Sequence, residues 1–272
     1  MISFPNCKIN LGLSVTGRLP DGYHRIETLI VPLPLSDILE IVPASGNKGI
    51  FDIAGINISG DIHDNLCYKA WKLFDDLFHI GEVDVHLHKI VPAGPGLGGG
   101  SSDAAFTLKM LNTIYSLGLD RNALEEYASH LGMDCPFFIY DKPALATGKG
   151  EILRKHDLNL QGIYITLVKP QIHISTAEAY AGVIPAEKQK PLEEILRSPM
   201  AEWKNLLIND FETSVFSRHP QIREIKEKLY DAGAIYAAMS GSGSAVFGLF
   251  SKPAKISNLF RDCFVWEGCF SS

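Results

Sequence analysis

The sequence predicts an α+β fold with two domains, on three observations. Strand-like segments crowd into the first 91 residues instead of alternating strictly with helices, which disfavours a doubly wound sheet. A hydrophobic share of 46% with mixed charge is enough for a packed core and argues against disorder. A length of 272 residues allows one large domain or two modest ones. The polar, loop-like stretch 148–162 predicts the boundary, giving domains 1–155 and 156–272.

The elements follow in order. Cys7, Ile9, Leu11, Leu13 and Val15 alternate with Lys8, Asn10, Gly12 and Ser14, the period of a half-buried strand. Residues 19–24, LPDGYH, supply a Pro-Asp-Gly turn. Segments 25–33 and 37–43 read as strands, and 49–60 as a hairpin of short ones. Residues 65–78 carry apolar side chains at helical spacing, opened by Asp64 or Asn65 as N-cap. Segment 82–91 alternates again and runs into PAGPGLGGGSSDAA at 92–105. Beyond the glycines, Ala104, Ala105, Leu108, Leu111 and Tyr115 line one helical face. Residues 120–131 form a second helix, capped by Asp120 and stopped by Gly132. Segment 163–170 reads as a strand. Helices at 177–183, 202–219 and 221–233 are then followed by strands at 234–240 and 244–250.

Composition excludes some functions. A net charge of −6 disfavours a nucleic-acid partner, though a local cation cluster can still hold a small anion. Cys7, Cys67, Cys135, Cys263 and Cys269 are scattered without CxxC spacing, as expected of reduced thiols in a cytoplasmic protein. No basic and apolar leader follows Met1, and no apolar run nears the ~20 residues of a membrane span, so neither a signal peptide nor a membrane partner is expected. His86 and His88 share a strand face, but no third metal ligand accompanies them.

The glycine stretch fails three phosphate-loop templates. Gly94 and Gly99 have P-loop spacing, but Gly100 stands where the lysine belongs. Gly94, Gly96 and Gly99 match the dinucleotide pattern, whose acidic partner should close a strand; Asp120 reads as a helix cap instead. Ser101 replaces the valine of the protein-kinase loop. What survives is general. Consecutive glycines let backbone N–H groups converge on an anion, and Ser101 and Ser102 open a helix whose N-terminus attracts one. The plain alternative is a tight turn or linker.

Four stretches in this order resemble the GHMP kinases, small-molecule kinases of galactose, homoserine, mevalonate and phosphomevalonate. They are PNCKINLGLSVTGRLPDGYH at 5–24, PAGPGLGGGSSDAA at 92–105, LGMDCPFFI at 131–139 and AAMSGSGSAVFG at 237–248. The resemblance implies a ribosomal protein S5 domain 2-like N-terminal domain for ATP binding and catalysis, and a ferredoxin-like C-terminal domain on the substrate side. It implies ATP and magnesium as cofactors. The triphosphate would lie on Pro92, Ala93, Gly94, Pro95, Gly96, Leu97, Gly98, Gly99, Gly100, Ser101 and Ser102; Ser102 is a candidate magnesium ligand, and Asp103 would cap the helix or approach magnesium. Asp134 would orient the acceptor hydroxyl and take its proton, with Lys8 polarising hydroxyl or phosphate and Asn10 in support. The residues alone also fit plainer roles: Asp134 as an N-cap before Pro136, and Lys8 as a solvent-facing strand lysine.

The DGYH stretch resembles that of members acting on an acceptor with a cytosine and a diphosphate, 4-diphosphocytidyl-2-C-methyl-D-erythritol, in the non-mevalonate route to isoprenoids. Tyr23 and His24 would take the cytosine, Tyr180 would form the opposite wall, and Lys149 would lie near base or diphosphate. Gly241, Ser242 and Gly243 would close on the phosphates, or else form a plain hairpin turn. Asp103 stands where many members have asparagine, and Cys135 replaces a more usual aliphatic. A monomer or weak homodimer is expected. The rivals are a homoserine or mevalonate-type kinase, a non-catalytic nucleotide or metabolite sensor on the same fold, and a nicotinamide oxidoreductase.

Overall fold

The structure, a computed structural model, describes residues 1–46, 48–58, 60–188 and 190–270. In chain order, the elements of the first half are β1 (Ile2–Ser3), β2 (Asn6–Arg18), β3 (His24–Ser36), β4 (Ile38–Pro43), β5 (Phe51–Gly55), α1 (Leu66–Phe78), β6 (Val83–Lys89), α2 (Gly99–Ile114), α3 (Arg121–Ser129) and α4 (Cys135–Tyr140). There follow β7 (Ala144–Thr147), β8 (Ile152–Lys155), β9 (Tyr164–Pro170), α5 (Thr176–Tyr180), α6 (Leu192–Arg197), α7 (Trp203–Leu206), α8 (Phe211–Arg218), α9 (Pro220–Asp231), β10 (Tyr236–Met239), β11 (Val246–Phe250) and β12 (Cys263–Cys269). No described helix is long and apolar enough to cross a membrane.

The chain divides into two compact units that interleave in sequence. The first holds Met1–Cys7, Leu35–Ala93 and Gly98–Lys142, the second Lys8–Pro34, Gly94–Leu97 and Pro143–Ser272. The sequence predicts a single cut at 155; compactness instead follows sheet partners, which lie far apart along the chain.

The first unit is built on a four-stranded sheet in the order β1-β4-β6-β5. The segment read as a hairpin at 49–60 is a single strand, β5, running parallel to β6 with Asp52 opposite His86. Gly55 allows this approach, since a Cβ there would stand 2.3 Å from the Lys89 carbonyl oxygen. The rest of that reading includes Ser59, which lies outside the described residues. Asn65, rather than Asp64, caps α1 by accepting from the Cys67 amide. Asp120 caps α3 through the Ala123 amide.

The second unit holds two four-stranded sheets, β2-β3-β7-β8 and β10-β11-β9-β12. The latter is antiparallel, with Val168 of β9 facing Val246 on one side and Val265 on the other. Val168, Ala237, Met239 and Val246 share an apolar core with Leu13, Val15, Phe211, Val215, Ile222 and Leu229. β2 is not half-buried as its alternation predicts: Lys8 through Leu13 are all buried. Gly12 makes this possible, at φ +64° with Leu207 Cδ1 only 2.6 Å from where a Cβ would stand.

The helix predicted over 202–219 breaks in the middle. Residues 207–210 leave it because Leu13 donates to the Ile208 carbonyl and accepts from Asp210, at 3.0 and 2.8 Å, so this segment pairs with β2. β8 falls within the stretch 148–162 that reads as loop, and β7 and β12 also escape the sequence reading. β8 and β12 are edge strands, and neither is buried enough to impose an alternating pattern.

Candidate active site

The glycine stretch belongs to both units, and its surroundings differ in each. In the first unit β6 ends on a buried ion cluster. Lys89 lies between Asp37 and Asp103, bonded to both, with 2.6 Å to Asp103 Oδ2. Asp37 also accepts from the Ile90 and Val91 amides, at 2.5 and 2.8 Å, and so fixes the exit of the strand. The extra negative charge of Asp103 is therefore directed at Lys89. Burial still holds the Asp103 carboxyl above its usual range, against the pull of Lys89.

α2 then opens at Gly99, with its N-cap Gly98 at φ +70° and offering no side chain to cap the first amides. A Cβ on Gly99 would stand 3.0 Å from Val91 Cγ1 and 3.4 Å from Lys89 Nζ, so any larger residue would crowd the start of the helix against the cluster. Ser102 Oγ and Asp103 Oδ1 are buried without a hydrogen-bond partner among the described residues. These are hard oxygen donors, and they fit one or two protein contacts to magnesium rather than a complete protein cage.

Asp134 stands at the N-terminus of α4, but its side chain makes no capping hydrogen bond there. The reading of Asp134 as an ordinary N-cap is therefore corrected. The neighbouring Cys135 is buried, and that burial pushes its thiol up to about 12, with Ser101 of the glycine stretch pulling the other way.

In the second unit Gly94–Leu97 meets the C-terminal glycine loop. The Ser240 hydroxyl donates to the Gly96 carbonyl at 2.7 Å and accepts from the Asn10 amide at 3.2 Å. The Lys8 amide donates to the Leu97 carbonyl at 2.9 Å, and Lys8 Nζ bonds Asn10 Oδ1 at 2.7 Å. Lys8 is only 4% exposed, which corrects its reading as a solvent-facing strand lysine. Gly241 packs here too, its Cβ position 3.1 Å from Asn10 Oδ1, 3.3 Å from Gly96 Cα and 3.8 Å from Lys8 Nζ. Asn209 holds the loop from behind, donating to the carbonyls of Met239 and Gly241, both at 2.8 Å. Gly243 also lies in the loop, buried, while Ser242 is half-buried.

The residues expected around a base also cluster in this unit. His24 stacks on Tyr180, centroids 4.5 Å apart and planes 17° apart, and Phe211 meets Tyr180 edge-on. Tyr180 thus packs face to face on His24. The exposed Tyr23 ring is covered by Lys149 Nζ at 4.3 Å, and Lys149 pairs with Asp21 at 2.6 Å. His24 Nε2 is buried with no hydrogen-bond partner among the described residues. Burial, aided by the charge of Arg18, holds the ring below its usual range and so favours the neutral form.

Ser240, Asn209, Asp37 and Lys89 escaped the sequence reading. Ser240 alone carries a signal, being the first serine of the MSGSGS run at 239–244. The other three act through partners 30 or more residues away along the chain or through a buried ion pair, which no local pattern announces.

Comparison with known proteins adds to this geometry. The model for the GHMP kinases N terminal domain matches residues 65–142, and that for the GHMP kinases C terminal matches 191–263. The first span contains the glycine stretch and Asp134, the second the Gly241 loop. The chain is similar to a 4-diphosphocytidyl-2-C-methyl-D-erythritol kinase of Parabacteroides distasonis, 50% identical over 100% of both chains. It is similar to one of Bacteroides fragilis at 51% identity over 98% of each. A crystal structure of 4-(cytidine 5'-diphospho)-2C-methyl-D-erythritol kinase superposes with a TM-score of 0.86 at 33% identity, covering 100% of both chains. Half identity over whole chains, with both domain matches in the expected order, establishes that the chain belongs to the GHMP kinases.

Proposed function

We propose that the chain transfers the γ-phosphoryl group of ATP to the 2-hydroxyl of 4-diphosphocytidyl-2-C-methyl-D-erythritol. The names of relatives at about half identity support the activity and the acceptor. The observation that carries the acceptor is the orphaned His24 Nε2 beside Tyr23 and Tyr180. A buried ring nitrogen without a partner is costly unless a ligand supplies one, and the edge of a cytosine can. Homoserine and mevalonate have no base to offer it.

The remaining roles follow from what each group can do. The amides of the glycine stretch and the uncapped start of α2 favour the donor's phosphates. Magnesium, when bound, would neutralise phosphate charge, with Ser102 Oγ as the hydroxyl that would hold it. Asp134, at the N-terminus of α4, orients the acceptor hydroxyl and accepts its proton as the oxygen–phosphorus bond forms and ADP leaves. Lys8, fixed by Asn10, holds positive charge near the reacting oxygens. Tyr23, His24 and Tyr180 bind the base, and Lys149 covers the Tyr23 face until the base displaces it.

The test is ADP release with magnesium and ATP, comparing the cytidyl acceptor with homoserine and mevalonate. Turnover with the cytidyl acceptor alone is expected. Turnover with another acceptor would overturn the reading of Tyr23 and His24. ATP binding without turnover of any acceptor would favour a sensor.

A further inference from the structure

The second unit contains a buried cation whose charge the fold does not match. Val168 of β9 points into the core shared with α8 and α9, so the two-residue period of the strand turns Lys169 to the other face. Lys169 is 8% exposed. Among the described residues its ammonium makes one hydrogen bond, to Ser244 Oγ at 2.9 Å, and that hydroxyl donates to the Ile172 carbonyl. Among the described residues no carboxylate pairs with it, and burial alone holds it below the usual lysine range. Lys89, buried to a similar degree, instead lies between two carboxylates. Burying an ammonium without a counter-charge is unfavourable, and two of its three donors remain to be used.

A second observation shows where that charge is directed. Gly94 is exposed and has φ +106°. The space where its side chain would stand is bordered within 4 Å by two atoms only, Lys169 Nζ at 3.8 Å and His173 Nδ1 at 4.0 Å. The face of the glycine stretch that lacks a side chain is thus lined by two nitrogen donors. Both atoms belong to the second unit, as does the Gly241–Gly243 loop preceding Ser244.

We propose that Lys169, with His173, binds a phosphate oxygen of a nucleotide substrate against the open face of Gly94. The proposal rests on the phosphotransferase reading above and adds an anion-binding residue to it. The phosphate belongs either to the donor or to the diphosphate of the acceptor. A charge-assisted hydrogen bond from a desolvated ammonium would contribute affinity and restore the missing counter-charge.

The experiment is titration of ADP and of CDP into wild type and Lys169→Met, with thermal melts of both. Methionine keeps the length of the side chain and removes the charge. A melting temperature unchanged or raised is expected, with binding of one nucleotide weakened about tenfold or more. Loss confined to ADP assigns the donor phosphates, and loss confined to CDP assigns the acceptor diphosphate. Unchanged affinity for both, with or without a lower melting temperature, overturns the proposal. If Lys169→Met does not fold, the exposed His173→Ala is titrated instead, where a loss of about threefold is expected and no loss overturns the proposal. Wild-type ADP release with the cytidyl acceptor separates the two readings. If that turnover fails while Lys169→Met still weakens ADP binding, the acceptor assignment falls and the lysine assignment stands. A wild type that binds neither ADP, CDP nor inorganic pyrophosphate overturns it.

Discussion

Charge at single residues decides much of this molecule's chemistry. Lys8 and Asp134 are the two groups proposed to act on the reacting oxygen, and neither has the plain structural role its sequence position suggests. Lys8→Ala and Asp134→Asn should each lose about 10²-fold or more in kcat while melting within a few degrees of wild type. Steady-state ADP release and thermal melts check this, and near-normal turnover in either variant removes that residue from the mechanism. Cys135 follows Asp134 in the chain, and its thiol is held protonated by burial up to about 12. Because only the thiolate alkylates, Cys135 should resist iodoacetamide in the native protein up to about pH 9 and react on unfolding. Peptide mapping after brief labelling would show it; rapid native labelling would mean that the site opens. Lys89 presents the opposite case, a cation whose removal strands two buried carboxylates. Lys89→Met should cost about 3–5 kcal/mol in unfolding free energy, and the added substitutions Asp37→Asn and Asp103→Asn should recover part of it.

At the scale of elements, the two glycine loops of the second unit behave as one device. Ser240 ties Gly96 to β2, and Asn209 ties Gly241 to the break between α7 and α8. A Cβ on Gly96 would stand 2.7 Å from the Ser240 carbonyl oxygen, so Gly96→Ala must push the loops apart. Its φ of +99° adds strain of about 1–3 kcal/mol. The expected result is an ATP affinity lowered about tenfold or more with a modest loss of stability. Gly118→Ala is the control, since it has φ +69° and nothing within 4 Å of its Cβ position. If both variants bind ATP equally, the loop contact does not matter. These elements also show what a sequence can reveal. The glycine loops stand out as short runs of constrained residue types, whereas Lys8, Asp134 and the His24 turn stand out only through the resemblance of their stretches to the GHMP kinases. The Ser240–Gly96 bond spans 144 positions, and no local run records such a partner. The helix break at 207–210 was hidden for the same reason, because its cause is Leu13 of β2.

For the whole molecule, the question is what folds with what. A change from strand-rich to polar sequence near 155 predicts a domain boundary, yet the second unit takes residues 8–34 and 94–97 from before that point. Its apolar core includes Leu13, Val15 and Ile26 of β2 and β3, packed with Val168, Phe211, Ile222 and Met239. A fragment 156–272 would therefore lack strands that complete its own core, and would expose the apolar faces of β9 and β10 that those residues help cover. Losing three buried aliphatic side chains of this size removes about 5–9 kcal/mol, comparable to the whole stability of a domain. Expressed alone, 156–272 should show no cooperative melt and should bind a hydrophobic dye. Mixing with 1–155 should restore a cooperative transition if the two pieces reassociate. A fragment 156–272 that melts cooperatively by itself would mean that β2 and β3 are dispensable to the second unit, and that the polar stretch near 155 is a true boundary.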